Sequence, residues 1–168
     1  EEKGLYKKMR VGELMTYFAR LKGVESRQAQ QRADDLLQRY GLGEWRDRRC
    51  EALSKGMGQK VQIIATLIHE PELIVLDEPF SGLDPLIRRQ MRSELAVLQK
   101  EIQKTMVFIT HDLDEAVTVG DRIAIMRDGE IIQMGTPEEI ILNPVDDFVA
   151  EFTEDVSKDR VLNASSIS

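Results

Sequence analysis

Leu73-Ile74-Val75-Leu76-Asp77-Glu78-Pro79 runs four apolar residues together without polar alternation and ends them in two adjacent carboxylates. The pattern predicts a strand buried on both faces, as in a parallel sheet packed between helices. An Asp and a Glu at the exit of such a strand are costly unless a cation or a substrate needs them there. Pro79 stops the ladder. Ligands of open parallel sheets sit outside the carboxyl ends of the strands, so Asp77 and Glu78 mark a candidate site. Taken alone, the segment also fits a strand whose exit is acidic for structural reasons only.

Downstream, Ser81-Gly82-Leu83-Asp84-Pro85 is turn chemistry leading into a helix, with Asp84 as N-cap and Pro85 in its first position. Ile87, Met91, Leu95 and Leu98 follow at helical spacing and should pack on the sheet. Met106-Val107-Phe108-Ile109-Thr110 reads as a second buried strand, ending in His111 and Asp112. Strand, helix and strand at this spacing predict a right-handed parallel unit, which delivers Asp77, Glu78 and His111 to the same sheet edge. Asp112 and Glu115 are placed to form a capping box on the next short helix. Asp128-Gly129 between two apolar runs predicts a hairpin that continues the sheet with two antiparallel strands. Thr136-Pro137-Glu138-Glu139 is a second capping box, Asn143-Pro144 ends its helix, and Val145 to Phe152 reads as a last short helix. From Glu154 to Ser168 periodicity is lost and a linker is expected.

Upstream, Leu14, Phe18 and Leu21 fall on one face of a helix over Val11 to Lys22, closed by Gly23. Ser26 is placed to cap a second helix carrying Ala29, Ala33, Leu36 and Leu37, with Arg27, Arg32, Asp34, Asp35 and Arg39 on its solvated surface. Gly41 to Cys50 reads as a connection whose charges nearly cancel. Leu53-Ser54-Lys55-Gly56-Met57-Gly58-Gln59-Lys60 precedes an apolar helix. A Ser N-cap with a glycine turn and an anion site at a helix N-terminus both fit this stretch. His69, beside Glu70 and Pro71, is expected to serve that helix's C-terminus.

A formal net charge of -7 over 168 residues argues against a basic nucleic-acid binder. Few aromatic residues argue against stacking platforms for single strands. One cysteine, Cys50, excludes an internal disulfide and favours a reducing compartment. No run approaches the roughly 18 apolar residues of a membrane span, so any membrane role is expected through a partner. The opening Glu1-Glu2-Lys3-Gly4-Leu5-Tyr6, without an initiator Met or a strand before it, is expected to continue something longer.

In order, Leu53-Ser54-Lys55-Gly56-Met57, the strand ending in Asp77-Glu78, Ser81-Gly82-Leu83-Asp84 and Ile109-Thr110-His111-Asp112 resemble the motifs of the ATP-binding-cassette (ABC) ATPases. The resemblance implies an α/β, P-loop NTPase-like fold: a three-layer parallel-sheet core with a helical subdomain, truncated at the N-terminus. The implied division is 1–52 helical subdomain, 53–135 ATPase core, and 136–168 C-terminal helices and tail. It also implies ATP and Mg²⁺ as cofactors, with Asp77 holding Mg²⁺ through its water shell, Glu78 acting on the attacking water, and His111 touching the γ-phosphate. Ser54, Lys55, Gly56 and Met57 stand at the signature loop, which in this family binds a nucleotide held by the opposite subunit of a head-to-tail dimer. Ser81, Gly82, Leu83 and Asp84 stand at the D-loop. Implied partners are a second ATPase subunit and transmembrane permease subunits, with no nucleic acid, at the cytoplasmic face of the cell membrane.

The sequence departs from the family pattern at Lys55 and Met57, where the signature has Gly and Gln. Lys55 adds a cation near an expected anion site. No G-x-x-x-x-G-K-[ST] phosphate loop occurs in the 168 residues. Up to about Asp84, Gly4 to Met9 and Leu53 to Met57 are similar to sodium-efflux or multidrug exporter ATPases, whereas Lys104 to Ala116 and Gly120 to Met126 are similar to glycine betaine/proline importers. The leading expectation is an ATP-hydrolysing transporter subunit, inactive in isolation. Its alternative is a non-hydrolysing module that offers the signature motif in trans to a complete partner. Translation factors and DNA-repair ATPases use the same site chemistry, but the paired cassettes of the former and the long coiled coils of the latter are not visible here.

Overall fold

The structure, a computed structural model, describes residues 6–154. Helices α1 (Val11–Leu21), α2 (Ser26–Arg39) and α3 (Lys55–Leu67) precede strand β1 (Leu73–Asp77), helix α4 (Pro85–Ile102) and strand β2 (Thr105–Ile109). Helix α5 (Leu113–Val119), strands β3 (Ile123–Arg127) and β4 (Glu130–Gly135), and helices α6 (Pro137–Leu142) and α7 (Asp147–Thr153) complete the order. The tail expected to be a linker lies outside the described residues except for Glu154, as do Gly4 and Leu5 of the exporter-like phrase.

Three apolar clusters hold these elements. The first packs Val11, Leu14, Met15 and Ala19 of α1 against Ala29, Ala33 and Leu37 of α2 and Val61, Ile64 and Ala65 of α3. The small α2 residues let the helices approach closely. The buried stripe of α1 is centred on Val11, Leu14, Met15 and Ala19, while Leu21, the last residue of the helix and at the edge of that stripe, is 62% exposed. The second cluster uses the other side of α3, Ile63 and Leu67, with Ile74 and Leu76 of β1 and Met91, Leu95 and Leu98 of α4. Helix α3 therefore belongs to both cores. The third joins Ile123 and Ile125 of β3 to Leu113, Ile140, Ile141 and Val149.

β1 and β2 pair in parallel, Leu73 opposite Thr105 through Asp77 opposite Ile109. Their inward face, Ile74, Leu76, Met106 and Phe108, packs under the helices. The outward face does not match the expected burial on both sides: Leu73 is 53% and Val75 55% exposed, with Val107 and Ile109 beside them. Among the described residues nothing covers that face, so the uninterrupted apolar run behaves as an alternating strand. The hairpin also departs from expectation. β3 and β4 pair antiparallel around the left-handed Asp128 and Gly129, but as a separate two-stranded sheet. A shift of register between Ile125 and Met126 bends the ribbon onto α6, which Thr136 and Glu139 start with the expected capping box.

Three local expectations are corrected. Glu25, not Ser26, caps α2, accepting from the amides of Arg27 and Gln28, because a carboxylate reaches both amides at once. Arg32 is half-buried rather than on the solvated face. It donates to the Ile68 carbonyl at 3.1 Å and pairs with Glu70 at 3.2 Å, and so serves the α3 C-terminus in the place expected of His69. The last helix starts two residues later than expected, at Asp147, with Asp146 as its cap.

Leu76→Ala should lower the unfolding free energy by about 2–5 kcal/mol, because it empties a packed position. Its neighbour Val75→Ala, on the open face, should cost under about 1 kcal/mol. Urea unfolding of the two variants checks the assignment of faces; equal losses would reverse it.

Candidate functional site

β1 ends at Asp77 and the chain turns at once. Glu78 takes a left-handed backbone, φ 46°, uncommon for a residue with a side chain. Its amide still continues the ladder by donating to the Ile109 carbonyl at 2.9 Å, and its own carbonyl accepts from Ser81. The strand thus closes into a tight turn that carries the Glu78 side chain across to the end of β2. There Glu78 Oε1 accepts from the His111 amide at 3.0 Å and lies 2.6 Å from His111 Nδ1. Glu78 is partly covered, whereas the His111 side chain is 81% exposed. Hydrogen bonding to Glu78, and then its negative charge, raise the His111 pKa above the ordinary 6.5. The imidazole is consequently cationic over a wider range of pH than a free one, and it stands open to solvent beside a carboxylate.

The sequence brings Asp77, Glu78 and His111 to one rim, as the strand pairing predicts. Asp77 is exposed, opposite Ile109 in the register. Among the described residues no group of three or more His, Cys, Asp and Glu is placed to hold a metal ion. A single exposed carboxylate suits a hard cation that keeps its waters and takes other oxygens from a phosphate, and does not suit an all-protein cage.

Behind His111 lies a support that the sequence reading missed. Glu115 is buried, 3% exposed, and its carboxylate accepts from Thr110 Oγ1 at 2.7 Å, with Arg88 of α4 3.8 Å away. Arg88 also reaches Asp112 at 3.5 Å. Only half of the expected Asp112–Glu115 capping box forms: Asp112 accepts from the Glu115 amide, but the Glu115 side chain turns inward and Thr110 takes the Asp112 amide instead. Arg88 sits one helical turn after Asp84, on the face turned toward α5, and that spacing was the available clue.

The other candidate residues lie on a separate element. Ser54 caps α3, accepting from the Met57 amide at 3.2 Å, so its N-cap reading holds. Among the described residues no hydrogen bond joins Ser54 to Glu78 or His111. The link between the two groups passes through Lys55, whose ammonium donates to the Gly82 carbonyl. Ser81 and Gly82 are exposed, Leu83 is buried, and Asp84 caps α4 by accepting from the Ile87 amide at 3.1 Å. Cys50 is half-buried and unpaired, and burial pushes its thiol pKa up, which makes it a poor nucleophile.

The chain has two histidines, so a histidine NMR titration is easily assigned. His111 should titrate above 6.5 and His69 below it, since burial opposes the charge of His69. Glu78→Gln should bring His111 down toward 6.5 without moving His69. The folded-state pKa of His111 is raised, so its contribution to stability is present below 6.5 and lost as pH rises through the raised value. Arg88→Met should lower the unfolding free energy by about 1–3 kcal/mol by leaving the buried Glu115 short of its cation, as read from urea midpoints.

The ABC transporter family matches residues 1–81. The chain is 46% identical over 151 residues to the glycine betaine transport ATP-binding protein OpuAA of Bacillus subtilis, covering 90% of this chain and 36% of that protein. It is 44% identical over 148 residues to the glycine betaine/proline betaine transport system ATP-binding protein ProV of Escherichia coli, covering 88% and 37%. With the choline transport ATP-binding protein OpuBA of Bacillus subtilis it shares 41% over 164 residues, covering 97% and 42%. The chain thus spans less than half the length of these relatives, and the alignments run across both sides of Asp84. A chain of an ABC transporter solved in an inward-facing conformation superposes with a TM-score of 0.73 at 23% identity, covering 83% of this chain and 57% of that one. Fold, motif order and these relatives point the same way: residues 1–81 match the ABC transporter family, and most of the chain is similar to the ATP-binding proteins of betaine transporters.

Proposed function

We propose that these residues serve the ATP-hydrolysing subunit of an ABC transporter, and that the Glu78–His111 pair at the end of the parallel strands is the part that meets the terminal phosphate. The observation that carries the reading is the contact of Glu78 Oε1 with both the amide and the ring of His111. Phosphoryl transfer to water asks the protein for charge compensation and a positioned water more than for covalent chemistry. His111, exposed and biased toward its cationic form, offers the charge to an incoming phosphate. Glu78, fixed by its left-handed turn and by the His111 amide, offers a carboxylate to orient the water and take its proton.

Asp77 is the residue that would hold Mg²⁺, by one carboxylate and through water. Such an ion supplies neutralisation of phosphate charge when bound. Ser54 and the amides around Gly56 at the α3 N-terminus would face the nucleotide of a second ATPase subunit, with Lys55 and Met57 flanking them and Ser81 to Asp84 lining the contact. Among the described residues no helix is long and apolar enough to cross a membrane. On this reading transmembrane permease subunits would provide the path, with this chain at their cytoplasmic face. The relatives are named for glycine betaine, proline betaine, choline and trimethylamine N-oxide. Their shared methylated nitrogen makes small methylated amines the proposed cargo class.

In the transporter built with this sequence, Glu78→Gln should leave ATP binding intact and lower kcat by at least about a hundredfold. Unchanged turnover would remove Glu78 from its role. The 168 residues alone, which carry no phosphate loop, should bind a fluorescent ATP analogue more weakly than micromolar; a micromolar titration would show that the remaining residues make a nucleotide site without the cradle.

A further inference from the structure

Helices α3 and α4 meet along a seam with contacts at three levels. A Cβ added at Gly56 would come within 2.7 Å of Ile87 Cγ2, so the tip of α3 is seated directly on the first turn of α4. Farther along, Lys60 Nζ and Glu94 Oε2 pair at 2.6 Å, both largely covered. At the open end, the Lys55 ammonium crosses to the Gly82 carbonyl. Gly82 has φ 68°, and a side chain there would run into the ammonium. Glycine at this position both permits the left-handed turn and clears the approach. The turn is otherwise tied on either side of Gly82, by Ser81 to Glu78 and by Leu83 to Phe80. Its most permissive residue is thus the one that Lys55 grips.

An exposed lysine left to itself keeps its ammonium hydrated and its stem mobile. Among the described residues, the Lys55–Gly82 bond is the one hydrogen bond or ion pair that joins the Ser54–Met57 stretch to the Ser81–Asp84 turn. We propose that Lys55 is a positioning residue, a strut that fixes the Ser81–Asp84 turn against the tip of α3 so that the two stretches move as one body. Lys55 stands where the family signature has a glycine, so the donor of this contact is a departure from that pattern. Its consequence for turnover rests on the ATPase reading above; the strut itself does not.

The two are separated by measuring amide hydrogen exchange without nucleotide. Lys55→Met keeps the stem and removes the donor, and should speed exchange at Ser81 to Leu83 by about three- to tenfold, leaving Val61 to Leu67 of α3 at their wild-type rates. Lys55→Arg, which retains a donor, should restore most of the protection. Equal exchange in wild type and Lys55→Met overturns the strut. So does a rise shared equally by the turn and α3, because that reports opening of the whole helix. In a hydrolysing transporter, Lys55→Met should lower kcat with KM for ATP unchanged. A raised KM with unchanged exchange would make Lys55 a phosphate ligand and overturn the strut. Absence of ATPase activity in the wild type would sink the ATPase reading and leave the exchange result standing.

Discussion

The parallel pairing of β1 with β2 is the constraint on which the candidate site depends. Its register sets Asp77 opposite Ile109, and the next bond, from the Glu78 amide to the Ile109 carbonyl, extends the ladder into the turn. Only with that register does Glu78 meet the amide of His111. A slip of one residue would exchange the faces of the strand, exposing Ile74 and Leu76 and burying Val75. Packing of Ile74 and Leu76 beneath α3 and α4 opposes such a slip. The hydrophobic core and the placement of the carboxylate are therefore fixed by one choice of register.

What the site stores is backbone strain at Glu78. A left-handed conformation costs a non-glycine residue of order 1–3 kcal/mol, and it persists where the surroundings over-determine it. Three bonds do so here: the Glu78 amide to Ile109, the Ser81 amide to the Glu78 carbonyl, and the His111 amide to the carboxylate. Phe80, 1% exposed against Phe108, anchors the turn to the core. On the other strand, Thr110, Glu115 and Arg88 hold the segment that carries His111. Glu78 is thus clamped from both strands, while the imidazole projects into solvent. A held carboxylate stands beside an exposed imidazole whose pKa is raised, which is the arrangement the proposed phosphate chemistry uses.

Much of this was legible in the sequence, for identifiable reasons. Turn and cap chemistry is local, so Asp84-Pro85, Thr136-Pro137 and Asp128-Gly129 declared their structures outright. Strand, helix and strand with polar exits sufficed to bring residues 77, 78 and 111 to one rim. Partnerships across elements were not legible. Arg32 at the end of α3, Arg88 on Glu115 and Lys55 on Gly82 each depend on which helix faces which, and arginine and lysine look alike whether solvated or engaged. The Asp112–Glu115 pair failed as a box because Thr110, two residues upstream of Asp112, competes for its amide. The hairpin was recognised, but its separation from the parallel sheet follows from packing on α5, α6 and α7, which no local pattern announces.

The open face of the parallel sheet shows where composition and surroundings part. Leu73, Val75, Val107 and Ile109 are as apolar as the buried Ile74 and Leu76, and together they make a contiguous apolar surface on two short strands. Such a surface favours association with whatever apolar face is available. Among the described residues each strand also has an unpaired edge, which no charge or proline blunts between Leu73 and Leu76 or between Met106 and Ile109. The described residues therefore carry two opposed tendencies: a well-filled core on one side of the sheet and an exposed apolar surface on the other. The site lies on the boundary between them, its geometry set by the filled side, and its carboxylates and histidine supply the polar rim that interrupts the apolar face at the ends of the strands.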